Sequence, residues 1–299
     1  MHQKRICIVV LTLGVLAMLL AGCGVRKPIV STKPILTVSI EPLRYFVEAI
    51  VGEHYAVVTL VPPGSSPETY EPTPDKLVSM HEAKAYIRVG MLPFEQTFLR
   101  RMAEALPQLP TLDAAEGVAY VVDHHHTHHH AGHEHAHAEY DLHVWTSPSN
   151  ARIIAQNIAR FVQQLDTARA AYYQHRLDSL LTHIDDVDAQ VRQRLKGVKH
   201  RTFGIYHPAL AYYAKAYGLR QLAVEDGGRE PSVARMAELI NACQRDSVRV
   251  IFVQREFPLG KVTTLAKEIG ARTEVINPLS AAWDEEMLRI AGFLQQDTP

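Results

Sequence analysis

One long amphipathic stretch constrains this chain more than any other feature. From about Ala168 to Lys196 there is no Pro or Gly. Within it Leu177, Leu180, Leu181, Ile184, Val187, Val191 and Leu195 keep mainly to spacings of three and four, the period of a helix with one apolar face. At 1.5 Å per residue such a helix is roughly 40 Å long, enough to run along two separate bodies. The stripe covers only about three heptads, so packing onto the chain's own lobes is preferred to a coiled-coil dimer, and a monomer is expected.

On each side of this helix, short apolar runs alternate with helical patterns, the signature of an α/β architecture. In the first half, strands are expected at 35–40, 55–61 and 85–89, helices at 42–51, 74–82, 93–106 and 150–165, and a short extended piece near 118–122. In the second half, strands are expected at 201–206, 222–224, 248–253 and 273–276. Helices there cover 209–217, stopped by Gly218; 232–243, capped by Ser232; 259–269, ending at Gly270; and 283–294. The expected fold is therefore α/β: two Rossmann-like lobes, each a mostly parallel sheet with flanking helices, bridged by one long rigid helix. The N-terminal lobe takes 35–167, the linking helix 168–199 and the C-terminal lobe 200–299.

The first residues read as a targeting segment rather than as fold. Lys4-Arg5 precedes an apolar run from Ile6 to Leu20, which ends in Leu20-Ala21-Gly22-Cys23. That pattern resembles a bacterial lipoprotein signal, with 1–22 removed, Cys23 lipidated and 23–34 a short tether. The run is short for a membrane span, and no second apolar run is long enough to cross a bilayer. The expected location is exported and lipid-anchored, on the periplasmic or cell-surface face of a bacterial membrane. Cys243, in a helical run, is then the remaining cysteine, read as a buried core thiol; no Cys-x-x-Cys exists, which excludes a thiolate metal site. A net charge of −1 gives no electrostatic reason to expect a nucleic-acid partner.

Histidine carries the chemistry. Nine of the 17 histidines fall within Asp123–His137, at His124, His125, His126, His128, His129, His130, His133, His135 and His137. A tract of this composition builds no packed core and reads as a loop with high capacity for metal. Three further segments each stand where a strand or loop hands over to a helix: 61–74, 140–148 and 204–213. In open α/β sheets ligands bind at that end. His143 lies in a polar loop between Asp141 and Trp145, and His207 directly follows a buried strand and precedes Pro208. Both read as metal ligands at a lobe edge.

The motifs Pro-Gly-x-x-Pro-x-x-Tyr-Glu-Pro-Thr-Pro, His-Val-Trp-x-Ser-Pro, Tyr-His-Pro-Ala and Glu230-Pro231-Ser232, with the His-rich loop ahead of the second, resemble the ZnuA-like solute-binding lipoproteins of bacterial metal ABC transporters over residues 35–296. The resemblance implies a single Zn2+ captured between the lobes and delivered to an ABC permease for zinc uptake. It maps the second and third family ligands onto His143 and His207. It also marks two departures: Glu68 stands where a His is usual, and Asn277 where an Asp is usual. Glu68 still offers an oxygen to zinc; Asn277 offers only a neutral carbonyl, a weak ligand or a partner to one. Water or a loop histidine completes the set. A manganese or iron component of the same transporter class, or a metal-binding adhesin or storage lipoprotein, is the alternative. A hydrolytic zinc enzyme is not expected, since there is no His-Glu-x-x-His and the ligands come from three separate loops. Histidine ligands bind as neutral rings, so affinity is expected to fall as pH drops through about 6.5.

Overall fold

A computed structural model describes residues 33–122, 140–225 and 229–296. The expected signal and tether (but for 33 and 34), Cys23 and the histidines of 124–137 lie outside the described residues.

Two four-stranded sheets form, both entirely parallel. In the first the order is β2-β1-β3-β4, from β1 (Ile35–Val38), β2 (Ala56–Thr59), β3 (Ala83–Arg88) and β4 (Thr111–Asp113). In the second it is β6-β5-β7-β8, from β5 (Thr202–Ile205), β6 (Arg220–Ala223), β7 (Val250–Gln254) and β8 (Arg272–Ile276). A parallel sheet covered by helices on both faces needs strands that are apolar throughout rather than alternating. β7 shows this, with every residue of Val-Ile-Phe-Val-Gln buried. In each sheet the strand order reverses beside the first strand, between β1 and β3 and between β5 and β7. That reversal opens a crevice at the carboxyl ends of the strands.

The first-half helices are α1 (Glu41–Val51), α2 (Pro74–Ser79), α3 (Pro93–Ala105) and α4 (Pro148–Leu165), with a proline in the first turn of each. Proline is suited to that position because its missing N–H would be unpaired there anyway. In the second half α6 (Ala211–Tyr217) and α8 (Gly260–Ile269) stop at Gly218 and Gly270, whose left-handed φ of 64° and 67° ends the helix at little cost. Ser232 caps α7 (Val233–Arg245) by accepting from the Arg235 N–H at 3.2 Å. α9 (Trp283–Gln295) closes the fold.

The sequence periodicity misses one strand. The extended piece expected near 118–122 contributes only an isolated antiparallel bridge, Val122 to Tyr140. The sheet edge is instead Thr111-Leu112-Asp113, too short and too exposed to show an apolar pattern. It pairs with β3 and is held there by Arg88 Nη2, which donates to Asp113 Oδ2 at 2.7 Å.

The linking helix α5 (Ala170–Leu195) runs 26 residues, and its buried face is Tyr173, Leu177, Leu180, Ile184, Val187, Val191 and Leu195. It packs against α1 and α4 of the first half and α9 of the second. Side chains fix it to both. Arg176 Nε donates to the Ala49 carbonyl at 2.7 Å, and Arg194 Nη1 donates to the Leu288 carbonyl at 2.6 Å. The apolar stripe is thus consumed within the chain. Two indoles add a second tie: Trp145 Nε1 donates to the Pro278 carbonyl at 2.8 Å, and Trp283 Nε1 to the Trp145 carbonyl at 2.7 Å. Both rings are fully buried. No helix among the described residues is long and apolar enough to cross a membrane.

Candidate metal centre

Three side chains from three different segments converge between the sheets. Glu68 comes from the stretch between β2 and α2, where Pro62, Pro63, Pro67 and Pro72 fix φ and withhold N–H donors, so no regular element forms. Local contacts shape it: the Glu68 N–H donates to Ser66 Oγ at 3.3 Å, and Tyr70 packs edge-on against Phe94 with ring centres 5.5 Å apart. His143 opens the 3-10 turn Val144–Thr146. His207 comes two residues after β5, at the carboxyl end and beside the strand-order reversal. Gln254, the last residue of β7, clamps it. Gln254 Oε1 accepts from the His207 N–H at 3.3 Å, and Gln254 Nε2 donates to the His207 carbonyl at 2.5 Å.

The ligand-type atoms form a small triangle. His143 Nε2 and His207 Nε2 are 3.3 Å apart, Glu68 Oε1 is 3.0 Å from His207 Nε2, and Glu68 Oε1 is 3.8 Å from His143 Nε2. Among the described residues this is the one group of at least three His, Cys, Asp or Glu side chains with donor atoms this close. Two nitrogens each about 2.0–2.1 Å from a tetrahedral zinc ion are separated by about 3.3 Å. The spacing therefore suits one small divalent cation.

Each imidazole is aimed by a carboxylate on its far nitrogen. Asp141 Oδ1 lies 3.1 Å from His143 Nδ1 and accepts the His143 N–H at 2.7 Å; Glu225 Oε1 lies 2.5 Å from His207 Nδ1. Asp141, Glu225 and both histidines are buried. A proton held at Nδ1 leaves the Nε2 lone pair facing the triangle, the arrangement metal-binding histidines usually have. Burial alone would lower the His207 pKa, but hydrogen bonds to Glu225 and Glu68 and the charge of both push it up to about 10.

A cavity of about 20 Å³ adjoins the triangle, lined by Ser66, Pro67, His143, His207, Ala209, Gln254, Glu256, Phe257, Pro278 and Leu279. That is room for one water-sized occupant. Asn277 lines a different cavity, with Arg255, Glu41 and the 61–65 segment, and its N–H donates to Glu286 Oε1 at 2.7 Å. Sequence reasoning missed Glu225, Gln254 and Glu256. Each is a polar residue at the carboxyl end of an apolar strand run, which is the signal that could have found them. Burial raises the Glu256 carboxyl above its ordinary range; a hydrogen bond with its own backbone, then His207, Arg255 and His143, pull the other way.

Two parallel-sheet lobes, a stapled linking helix and a histidine–carboxylate cleft between them describe a solute-binding protein for a metal cation. Residues 36–295 match the family described as zinc-uptake complex component A, periplasmic, and the chain belongs to it. The high-affinity zinc uptake system protein ZnuA of Bacillus subtilis (strain 168) is 30% identical over 261 residues, spanning 85% of this chain and 81% of that one. A crystal structure of ZnuA matches with a TM-score of 0.81 at 30% identity, covering 89% of this chain and 100% of that one. A ZnuA deletion mutant with zinc bound matches with a TM-score of 0.80 at 30% identity, covering 89% and 98%. Members of this family bind a solute for transport; they are not enzymes.

Proposed function

We propose that this chain is the extracytoplasmic zinc-binding component of an ABC importer, holding Zn2+ between its lobes with Glu68, His143 and His207 and passing it to the permease. The observation that carries this reading is the triangle of 3.0, 3.3 and 3.8 Å between one carboxylate oxygen and two imidazole nitrogens. Nitrogen donors favour zinc over harder cations such as manganese, and the zinc-named relatives support the same choice. The histidines at 124–137 would gather zinc at low affinity and raise its concentration beside the cleft, by tethering rather than by new contacts. Cys23 would carry the lipid that keeps a monomeric protein near its permease. The two lobes would be 35–167 and 200–299, with 168–199 between them.

Competition titration of the protein against a chromophoric chelator tests the assignment. His143→Ala, His207→Ala and Glu68→Ala should each weaken the tightest zinc equivalent at least tenfold while leaving the low-affinity equivalents in place. A tightest equivalent unmoved by all three, or one that prefers Mn2+ to Zn2+, would refute the proposal.

A further inference from the structure

A tetrahedral zinc ion takes four donors, and the triangle supplies three. We infer that Glu256 supplies the fourth, swinging its carboxylate across the cavity it shares with His143 and His207 when a cation binds. This rests on the cleft reading above and extends it to a residue that neither motif nor resemblance points to.

The assignment follows by elimination within one cavity. Besides the two histidines, three of its lining residues carry oxygen or nitrogen side chains, Ser66, Gln254 and Glu256, while Glu68 approaches His207 from the triangle. Ser66 Oγ already accepts the Glu68 N–H. Gln254 uses both ends of its amide on the His207 backbone. Asn277 lines the neighbouring cavity. Glu256 remains: half-buried, within electrostatic reach of both imidazoles, and with no hydrogen bond to another described side chain. It lies two residues beyond β7, at the strand-order reversal of the second sheet, as His207 lies two residues beyond β5. Its oxygens are not part of the close triangle, so the fourth bond requires a side-chain rotation, which a half-buried glutamate makes readily.

A carboxylate from Glu256 would add a second oxygen to two imidazole nitrogens and the Glu68 oxygen, a donor set harder than three histidines would be.

The test uses the full-length protein. Glu256→Gln, which preserves shape, should raise the dissociation constant of the tightest zinc equivalent tenfold or more, with melting of the metal-free protein unchanged. Glu256→Cys loaded with one equivalent of Co2+ should show a thiolate-to-cobalt charge-transfer band that the parent protein, with Cys243 buried, lacks. If His207→Ala loses the tightest equivalent, while Glu256→Gln keeps it and Glu256→Cys gives no band, the inference fails and the cleft reading stands. If neither His207→Ala nor Glu256→Gln weakens the tightest equivalent, both fail.

Discussion

Zinc binding to the cleft should expel a proton at a pH where free histidine has none to give. His207 is held protonated up to about 10 by Glu225 and Glu68, although its burial opposes this. An ordinary histidine titrates near 6.5, so at pH 8 a free imidazole is neutral and binds metal without releasing a proton. At the same pH a group titrating near 10 is roughly 99% protonated, and a metal replacing its proton releases about one proton per ion. Two pH units separate 8 from 10, so proton competition weakens the cleft site about a hundredfold at pH 8, about 3 kcal/mol, and each unit of pH gained below 10 recovers about tenfold. The dependence therefore extends well above the 6.5 expected from unperturbed histidine. The metal-free protein should respond in the opposite sense. Its folded His207 pKa lies above the unfolded value, so this stabilisation is complete below about 6.5 and is lost as pH rises towards 10, with a ceiling of about 5 kcal/mol. Isothermal titration calorimetry at pH 8 in buffers of different ionisation enthalpy counts the protons for the first zinc equivalent. Urea melts of the metal-free protein at pH 6.5, 8 and 9.5 supply the second measure. A proton count near zero at pH 8, with metal-free stability flat across that range, would refute the reasoning.

Glu225→Gln should lower that proton count and, at pH 9.5 where competition is weak, raise the zinc dissociation constant ten- to a hundredfold, the usual cost of losing the carboxylate behind a histidine ligand. Glu95→Ala should destabilise the fold by about 3 kcal/mol in urea unfolding, because the buried Glu95 carboxylate accepts the N–H groups of Val89 and Gly90 at 2.8 Å and of Leu92 at 3.2 Å. Ile184→Ala, at a fully buried position midway along the linking helix, should cost about 2–5 kcal/mol by the same measurement.

Much of this architecture is written locally. The three-and-four spacing from Leu177 to Leu195 marks the linking helix, and Pro93, Pro148, Gly218 and Gly270 mark helix ends, because each acts through its own backbone or its own face. β4 escaped because its three residues are held by pairing to β3 and by Arg88, both distant in sequence. The site divides in the same way. His143 and His207 stand in recognisable hand-over segments, while Glu68 is pointed to only by the family resemblance, at a position where a His is usual. Glu225 and Glu256 carry only the weak local signal of a polar residue at the carboxyl end of an apolar run; which ligand they face is decided by the chain bringing 225 and 256 back to 207.

The indole of Trp145 has a consequence for how a cargo ion leaves. His143 is two residues away, so the bond from Trp145 to Pro278 fastens one wall of the cleft to the opposite lobe, while Gln254 clamps His207 from behind. Rotating the lobes apart would break buried polar bonds at once. Of the three, Glu68 is the one on a proline-rich strip, with its side chain about a quarter exposed while both histidines are buried. An ion leaving such a site would therefore need one strip of chain to peel back, not a jaw to open.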